Sequence, residues 1–443
     1  MDRRSFVQGA AATGMIASGY FTEAQSEEKK RISPNDKITV CVTGVRGRGN
    51  NLLKTFSSIP DVNVKYVCDL DTSILGSRAD EVRNRTGKNP ERITDFRKAI
   101  DDKTVDALVL GTPDHWHALP TIHACMSGKD VYVEKPDGHN IIEGQTMVAA
   151  AKKHKRIVQL GTQARSGQLH QACEDYVLKG DLGKVRFAKA WESSKQGAIG
   201  PVPDSAPPKS VDYDFWLGPA PKKAFNRYRF HGNWRWFFDY GSGDLGNDGV
   251  HRLDNARRLL AAAVKAQKET LASIPHTVSA HGGKYYFKDM QEWPDTLMAT
   301  YDYGGYLMTY EMRIWTRYPL HGESEGAAVY GENGYVVLGN RRWRAFDNRG
   351  RLITEEKGSY NDLGHARNFL DCMRSRKRPA ADLETIGHPS SLLCHLGNAA
   401  WRAGRSLRFD TKTYAFKGDK EANQFLTRPV YRKPWVLPKI SEL

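Results

Sequence analysis

Five consecutive residues, Tyr132-Val-Glu-Lys-Pro136, carry side chains suited to chemistry at a place suited to it. The apolar-rich run Asp130-Val-Tyr-Val133 ends abruptly in an acid, a base and a proline. Pro136 has no backbone N–H and cannot extend a sheet ladder, so the run stops there. Glu134 and Lys135 thus stand at the carboxyl end of a strand, where open α/β sheets bind ligands. An acid and a base at such a place are candidates for catalysis. On a solvated strand end the same residues would do nothing, so the surrounding elements decide. His251 offers a second titratable group on a stretch with helical patterning, Leu245 to Ala263.

The elements that must position these residues begin at Lys37-Ile-Thr-Val-Cys-Val-Thr-Gly44, a buried strand running into Gly44-Val-Arg-Gly-Arg-Gly49 and a helix start at Asn50. A glycine turn between strand and helix brings backbone N–H groups and a helix N-terminus onto a pyrophosphate. The G-x-G-x-x-G spacing is imperfect. Gly44 and Gly49 fit its first and third positions, Arg46 stands where the second glycine belongs, and Gly47 comes one place late. Arg46 and Arg48 can serve the pyrophosphate as cations. A second strand, Val62 to Val67, leads to Asp69, twenty residues beyond Gly49, placed to accept hydrogen bonds from ribose hydroxyls and to repel a 2′-phosphate. Further strands at Asp106 to Thr112, Asp130 to Val133 and Arg156 to Gly161 alternate with helices at Leu119 to Gly128 and Ile142 to His154. That alternation predicts right-handed crossovers in a doubly wound parallel sheet over residues 35–160. NAD is the cofactor this arrangement implies.

Composition narrows the class. The 443 residues suffice for two domains, and 40% hydrophobic content suits packed cores. The formal net charge of +15 is scattered and accompanied by no nucleic-acid motif, so nucleic acid is not expected as a partner. No run of about 18 or more apolar residues follows the first 25, so no membrane span is expected in the mature protein. Residues 1–25 read as a twin-arginine export signal: Arg3-Arg4-Ser-Phe6 precedes an uncharged small-residue run from Gly9 to Tyr20, with processing near Ala24. That route exports folded proteins and implies a periplasmic or other extracytoplasmic location. The six cysteines show no metal-like spacing and read as buried thiols; no metal is expected.

The ordered series of Gly-rich turn, Asp69, Thr112-Pro-Asp-His-Trp-His117, Glu134-Lys-Pro136, Gly161-Thr-Gln163 and Gly246-Asn-Asp-Gly-Val-His251 resembles the glucose-fructose oxidoreductase/inositol dehydrogenase/rhizopine-catabolism (Gfo/Idh/MocA) family over about residues 35–410. The resemblance implies an N-terminal Rossmann domain and a C-terminal α/β domain, at 161–410, on a large open, mainly antiparallel sheet. It also implies NAD or NADP as cofactor, sugars, cyclitols or related polyols as substrates, and a homodimer or homotetramer. Carried over residue by residue, it adds Thr112, Pro113, His115, His117, Glu134, Lys135 and Gln163 to the cofactor-binding set of Gly44, Arg46, Gly47, Arg48, Gly49 and Asp69. In the family a lysine, an aspartate and a histidine converge on the substrate hydroxyl. Lys135 and His251 match, whereas Asn247 stands at the usual aspartate position. Asp248 is adjacent, but on a continuous helix one residue is a rotation of about 100°, so it is expected to point elsewhere.

In the second domain, strands are expected at Val185 to Glu192, His276 to Lys288, Thr296 to Tyr303, Tyr306 to Thr316, Gly326 to Tyr330 and Gly334 to Leu338. The helical stretches His365 to Arg374 and Ser390 to Gly404 are expected to pack back on the first domain, and the extension at 411–443 has no functional reading. The Pro- and Gly-rich connection Lys195 to Tyr240 carries many aromatics, including Trp216, Trp234, Trp236 and Phe237, beside Arg227, Arg229, His231 and Arg235. Such residues are either core plugs or a sugar platform, since rings stack on C–H faces while cations meet hydroxyls. Trp234, Arg235, Lys135, Asn247 and His251 form the expected substrate set. The leading expectation is oxidation of a carbohydrate hydroxyl with hydride transfer to NAD, with His251 as base, Lys135 on the oxygen and Asn247 orienting a hydroxyl. A redox-neutral lyase or hydrolase using tightly bound NAD, and a non-catalytic sugar-binding protein, are the alternatives.

Export should depend on the paired arginines. With Arg3 and Arg4 both replaced by lysine, fractionation should find folded protein retained in the cytoplasm; unchanged export would refute the signal.

Overall fold

Short runs of β-branched and aliphatic residues, separated by amphipathic helices, assemble the first sheet. A computed structural model describes residues 37–443; the expected export signal lies outside them. In chain order come β1 (Ile38–Thr43), α1 (Gly47–Ser57), β2 (Val62–Cys68), α2 (Thr72–Thr86), β3 (Glu91–Ile93), α3 (Arg97–Asp101), β4 (Ala107–Leu110), α4 (Ala118–Met126), β5 (Asp130–Val133), α5 (Ile141–Lys153) and β6 (Val158–Leu160). The strands lie in the order β3-β2-β1-β4-β5-β6 and pair in parallel throughout. This is the doubly wound Rossmann arrangement, whose order reverses between β1 and β4 and so opens a crevice at their carboxyl ends. β4 and β5 are buried along their whole length, as expected where helices cover both faces.

After α6 (Gln168–Leu178) the second sheet begins with β7 (Val185–Glu192), followed by α7 (Tyr213–Leu217), α8 (Gly243–Asn247) and α9 (Gly249–Ala266). Then come β8 (Thr277–Gly283), β9 (Thr296–Asp302), β10 (Leu307–Arg313), β11 (Glu325–Gly331), β12 (Gly334–Leu338), β13 (Arg342–Asp347) and β14 (Leu352–Lys357). The chain closes with α10 (Asp362–Ser375), α11 (His388–Ala403), β15 (Leu407–Asp410) and β16 (Ala415–Phe416). The order is β14-β13-β12-β11-β7-β10-β9-β8-β15-β16, antiparallel except for the parallel pair β7 and β10. The α/β fold with a mostly antiparallel second sheet is therefore as the sequence implies. Strict alternation of burial along β9 and β10 shows one face covered, and α9 lies against it.

Two differences matter. β13 and β14 were not expected, because β14 is nearly all exposed and reads as charged loop. The expected single helix from Leu245 to Ala263 is two helices, broken at Asp248, whose φ and ψ are −105° and −31°. Glycines make the break compact: a Cβ on Gly246 would meet Ser242 Oγ at 1.9 Å, and one on Gly249 would meet Tyr310 Oη at 2.7 Å. All six cysteines are free and buried.

α10 and α11 return to the first domain. Phe369 of α10 packs edge-on against Phe56 and Tyr132. Ser390 of α11 donates to Asp254 on α9 (2.6 Å), and Asp254 also receives Arg165 from the turn after β6, through Nη2 at 2.6 Å and Nε at 2.8 Å. Asp254 is only 0% exposed, so this fork joins three elements inside the protein. Burial alone would raise its carboxyl; the Arg165 charge and the bonds from Arg165 and Ser390 hold it below the ordinary value. A carboxyl lowered in the native state stabilises it above the unfolded value, and that contribution is lost as pH falls. Asp254→Ala strands the guanidinium and should cost about 3–5 kcal/mol. Urea unfolding at neutral pH should show the midpoint fall with the slope unchanged, and the gap to the parent should narrow on acidification.

Candidate functional site

A cavity of about 670 Å³ opens where β1, β2, β4 and β5 end, between the first sheet and the α8–α9 break. Its floor is the glycine turn. Gly44 has φ +75°, and a Cβ there would lie 2.8 Å from Thr112 N and 2.9 Å from Gly111. A Cβ on Gly49 would come 1.6 Å from Gly44 O, so only glycines allow α1 to start this close to β1 and β4. Gly49 does not itself line the cavity; it packs behind the turn, while Gly44, Arg46, Gly47 and Arg48 face it. The first turn of α1 contains no acidic residue and no side chain caps it, leaving its N–H groups and dipole for an anion.

Asp69 lines the same cavity at the end of β2. Its Oδ2 accepts from Val45 N (2.8 Å) and Oδ1 from Asp71 N (2.9 Å), which pins the glycine turn to β2. Burial raises its carboxyl despite these bonds. Asp71, not singled out from the sequence, also lines the cavity. It caps α2 through Ser73 N and pairs with Arg46. The signal was present, since Asp71-Thr-Ser reads as a helix N-cap.

The two turn arginines are not free phosphate ligands. Arg46 is committed to Asp71, and Arg48 donates from Nε to Glu134 (2.8 Å) and from both terminal nitrogens to Asp362 of α10 (2.9 Å each). Glu134 further receives Gln163 Nε2 (3.1 Å), so the strand-end acid, the turn and the segment after β6 form one network. Thr112, Pro113, Glu134 and Gln163 all line the cavity.

His115 and His117 are corrections to the expected cofactor set, for neither reaches the cavity. His115 is buried between the carbonyls of Tyr240 (3.3 Å) and Trp216 (2.9 Å), and burial, with Arg428 next, depresses it to about 3. His117 lies between the carbonyls of Pro136 (2.6 Å) and Thr112 (2.9 Å). Both fasten the first domain's loops rather than touch a ligand.

Lys135 faces the helix break. Its Nζ donates to Asn247 O (2.5 Å) and lies 3.4 Å from Asn247 Oδ1. Asn247, Asp248 and His251 line the cavity together. Asp248 thus points in and not elsewhere, because the helix on which the 100° rotation was reckoned is interrupted there. Asn247 Nδ2 donates to Asp248 Oδ2 (3.0 Å). His251 Nδ1 is buried and has no hydrogen-bond partner among the described residues. Burial, then the charges of Lys135, Arg252 and Arg48, hold its imidazole well below the ordinary value, so it is neutral. Beneath the break, burial and then Asp248 push the Asp244 carboxyl up to about 8.

The aromatic connection divides. Trp216, Phe230 and Trp234 line the cavity with His231 and Arg235, whereas Trp236 and Phe237 are buried in the core. Arg235 lies over the Trp234 ring at 5.3 Å, and its Nε is buried with no partner among the described residues. Thr72 N bonds Ser210 O (2.9 Å), which brings this connection over the β2 end.

Two models of one family match the chain. "Oxidoreductase family, NAD-binding Rossmann fold" covers residues 38–162, and "Oxidoreductase family, C-terminal alpha/beta domain" covers 183–303 and 350–437. A glycosyl hydrolase family 109 protein 2 from Shewanella sp. (strain ANA-3) is 28% identical over 207 residues, 43% of this chain and 45% of the relative. The chain thus spans about half the length of the curated relatives it matches. The WlbA dehydrogenase from Chromobacterium violaceum, solved with NADH and UDP-GlcNAcA, superposes with a TM-score of 0.63 at 19% identity, covering 86% of this chain and 98% of that one. An aldose-aldose oxidoreductase from Caulobacter crescentus gives 0.63 at 18%, covering 84% and 100%. At these identities the structures speak for the fold alone. The glycine turn, free helix N-terminus and Asp69 fit the dinucleotide of the matched NAD-binding domain.

Gly49→Ala should weaken NAD binding by roughly tenfold or more, about 1.4 kcal/mol, because its Cβ must displace backbone. Fluorescence titration with NADH checks this; parental affinity would show that the turn has room.

Proposed function

The chain belongs to the Gfo/Idh/MocA oxidoreductase family, and from that premise we propose that it oxidises or reduces a hydroxyl-bearing carbon of a sugar, glycoside or cyclitol with NAD(H). The observation that carries this reading is the meeting of Lys135, Asp248 and neutral His251 in the cavity that the glycine turn floors. Bound there, the nicotinamide supplies a hydride acceptor or donor. Gly44, Gly47, the α1 N-terminus, Asp69, Thr112 and Pro113 would hold the dinucleotide. Lys135 holds the alcohol oxygen and favours its alkoxide character. His251, neutral and lining the cavity, accepts the hydroxyl proton, and the Asp248 carboxylate stabilises positive charge that gathers on Lys135 and His251. The Trp234 face and the Arg235 donors suit a ring with an apolar side and polar edge.

NAD is preferred over NADP in this reading. Asp69 and Asp71 would oppose a 2′-phosphate, and Arg46 is already neutralised by Asp71. The redox-neutral alternative has one specific support, the glycosyl hydrolase name of the relatives. Export to the periplasm and assembly as a homodimer or homotetramer belong to the same proposal. For assembly the support is the sheet face opposite α9, where Phe187, Tyr330, Tyr335 and Phe346 stack in a row.

A sugar and cyclitol panel with NAD or NADP, followed by product mass, tests the reading. Oxidation removes two hydrogens, and net hydrolysis adds water. Lys135→Ala should lower kcat by about 10²–10³ or more while leaving NADH affinity within about threefold. Since the His251 imidazole is held well below its ordinary value, kcat/KM for oxidation should persist into mildly acid solution and fall only at lower pH. A midpoint at or above about 6.5, the ordinary histidine value, would assign the base elsewhere. No turnover with any panel member, and no water added, would sink both enzyme readings.

A further inference from the structure

A second cavity, of about 510 Å³, lies across the 233–242 segment from the first and shares none of its lining. Segment 424–430 of the extension, α11 and the residues after β5 enclose it. Its walls combine rings and cations in an unusual way. Arg402 sits over Phe425 at 4.3 Å and Phe238 at 5.0 Å, and makes no hydrogen bond or ion pair among the described residues. A guanidinium flanked by ring faces keeps its N–H donors in its own plane, directed at an in-plane acceptor; a carboxylate or phosphate meets that geometry with two bonds.

Arg428, 8% exposed, adds a second donor. Its Nη1 donates to Asp239 O (2.7 Å), Nε lies 3.5 Å from Glu143 Oε1, and Nη2 is buried with no partner among the described residues. Lys223, Arg402 and Arg428 line the space against Asp239, which pairs with Lys223, and Glu292, which accepts from Phe238 N at 2.6 Å. The two histidines present the opposite polarity. His139 donates from Nε2 to Phe238 O (2.8 Å), which leaves the Nδ1 lone pair buried and unpartnered. His395, 6% exposed, likewise has an unpartnered buried Nε2. Burial holds both rings below the ordinary histidine value, so they are acceptors. Buried donors and acceptors without partners, on residues that line one cavity, are each costly while unpaired.

We propose that this cavity binds a small polyhydroxylated oxyanion, a sugar acid or a sugar phosphate. Its oxyanion lies on Arg402 and Arg428, its hydroxyls donate to His139 and His395, and Trp293 and Phe425 cover its C–H face. The inference is independent of the reaction assigned to the first cavity.

Calorimetric titration of the NADH-saturated protein tests it, with glucuronate and glucose 6-phosphate as probes, and glucose and sodium chloride at matched ionic strength as controls. Either anion should saturate a site that sodium chloride does not, and any glucose heat from the first cavity should persist in Arg402→Gln. The anion that binds more tightly assigns carboxylate or phosphate. Arg402→Gln should weaken that binding tenfold or more with NADH affinity unchanged. Val430→Glu, at the exposed rim, should do the same without disturbing the core. Absence of saturation with both anions, or anion binding that survives both substitutions, would overturn the proposal.

Discussion

One lysine in the gap between two helices organises the first cavity. α8 ends at Asn247 with its carbonyl unclaimed by any further turn, and Lys135 Nζ takes that carbonyl at 2.5 Å. A cation at a helix C-terminus is favoured by the partial negative charge there, and an orphan carbonyl needs a donor. The bond therefore stabilises the break while fixing the ammonium at the mouth of β5. Asp248 then turns into the cavity and α9 restarts with His251 one turn from Asn247. Were the helix continuous, Lys135 would have no carbonyl to hold and Asp248 no reason to face it. The position of Lys135, Asp248 and His251 is thus set by where a helix stops, and the packing of Ser242 and Tyr310 there leaves little room for a Cβ at 246 or 249.

The cavity walls depend on chain far from them. Phe96, Trp116 and Phe215 line the first cavity, and Trp435 of the extension packs on all three, stacked on Phe215 at 4.8 Å and edge-on to Trp116 at 4.9 Å. Arg432 clamps α7 by bonding Gly218 O (2.9 Å) and Asp214. Lys153 meets the carbonyl oxygen of Leu443. The extension that carried no pattern is therefore a strap over the aromatic connection. It converts a Pro- and Gly-rich segment, costly to order by itself, into a wall supported from both sides.

What the sequence disclosed follows from how local each signal is. Alternating buried strands and helices announced the Rossmann sheet, because a parallel strand is apolar along its length. The glycine turn was readable despite its shifted spacing, since the need for close approach falls on Gly44 and Gly49, while Arg46 has room to face the cavity and pair with Asp71. His115 and His117 misled for the opposite reason. Their motif placed them beside the cavity, but two backbone carbonyls, both more than a hundred residues away in the chain, hold the His115 ring. β14 was invisible because an exposed edge strand of Leu352-Ile-Thr-Glu-Glu-Lys357 has no buried face to impose alternation. The second cavity was equally hidden, for Arg402 and Arg428 come from α11 and the extension and acquire meaning only once Phe238 and Phe425 lie beside Arg402.

Asn247 is the residue at which sequence and structure bear most directly on each other. The family pattern places a carboxylate there, and its loss by itself suggests a disabled site. In the folded chain, however, Asp244 and Asp248 flank the position, and their mutual repulsion, added to burial, already pushes Asp244 up to about 8. A third carboxylate between them would raise the cost of ionising any of the three, since like charges in a poorly hydrated site suppress one another. An amide avoids that cost. Asn247 instead donates to Asp248 and accepts toward Lys135, linking the ammonium to a carboxylate that the break has moved one residue along. A carboxylate still lines the cavity one position along, because the helix break turns Asp248 into it.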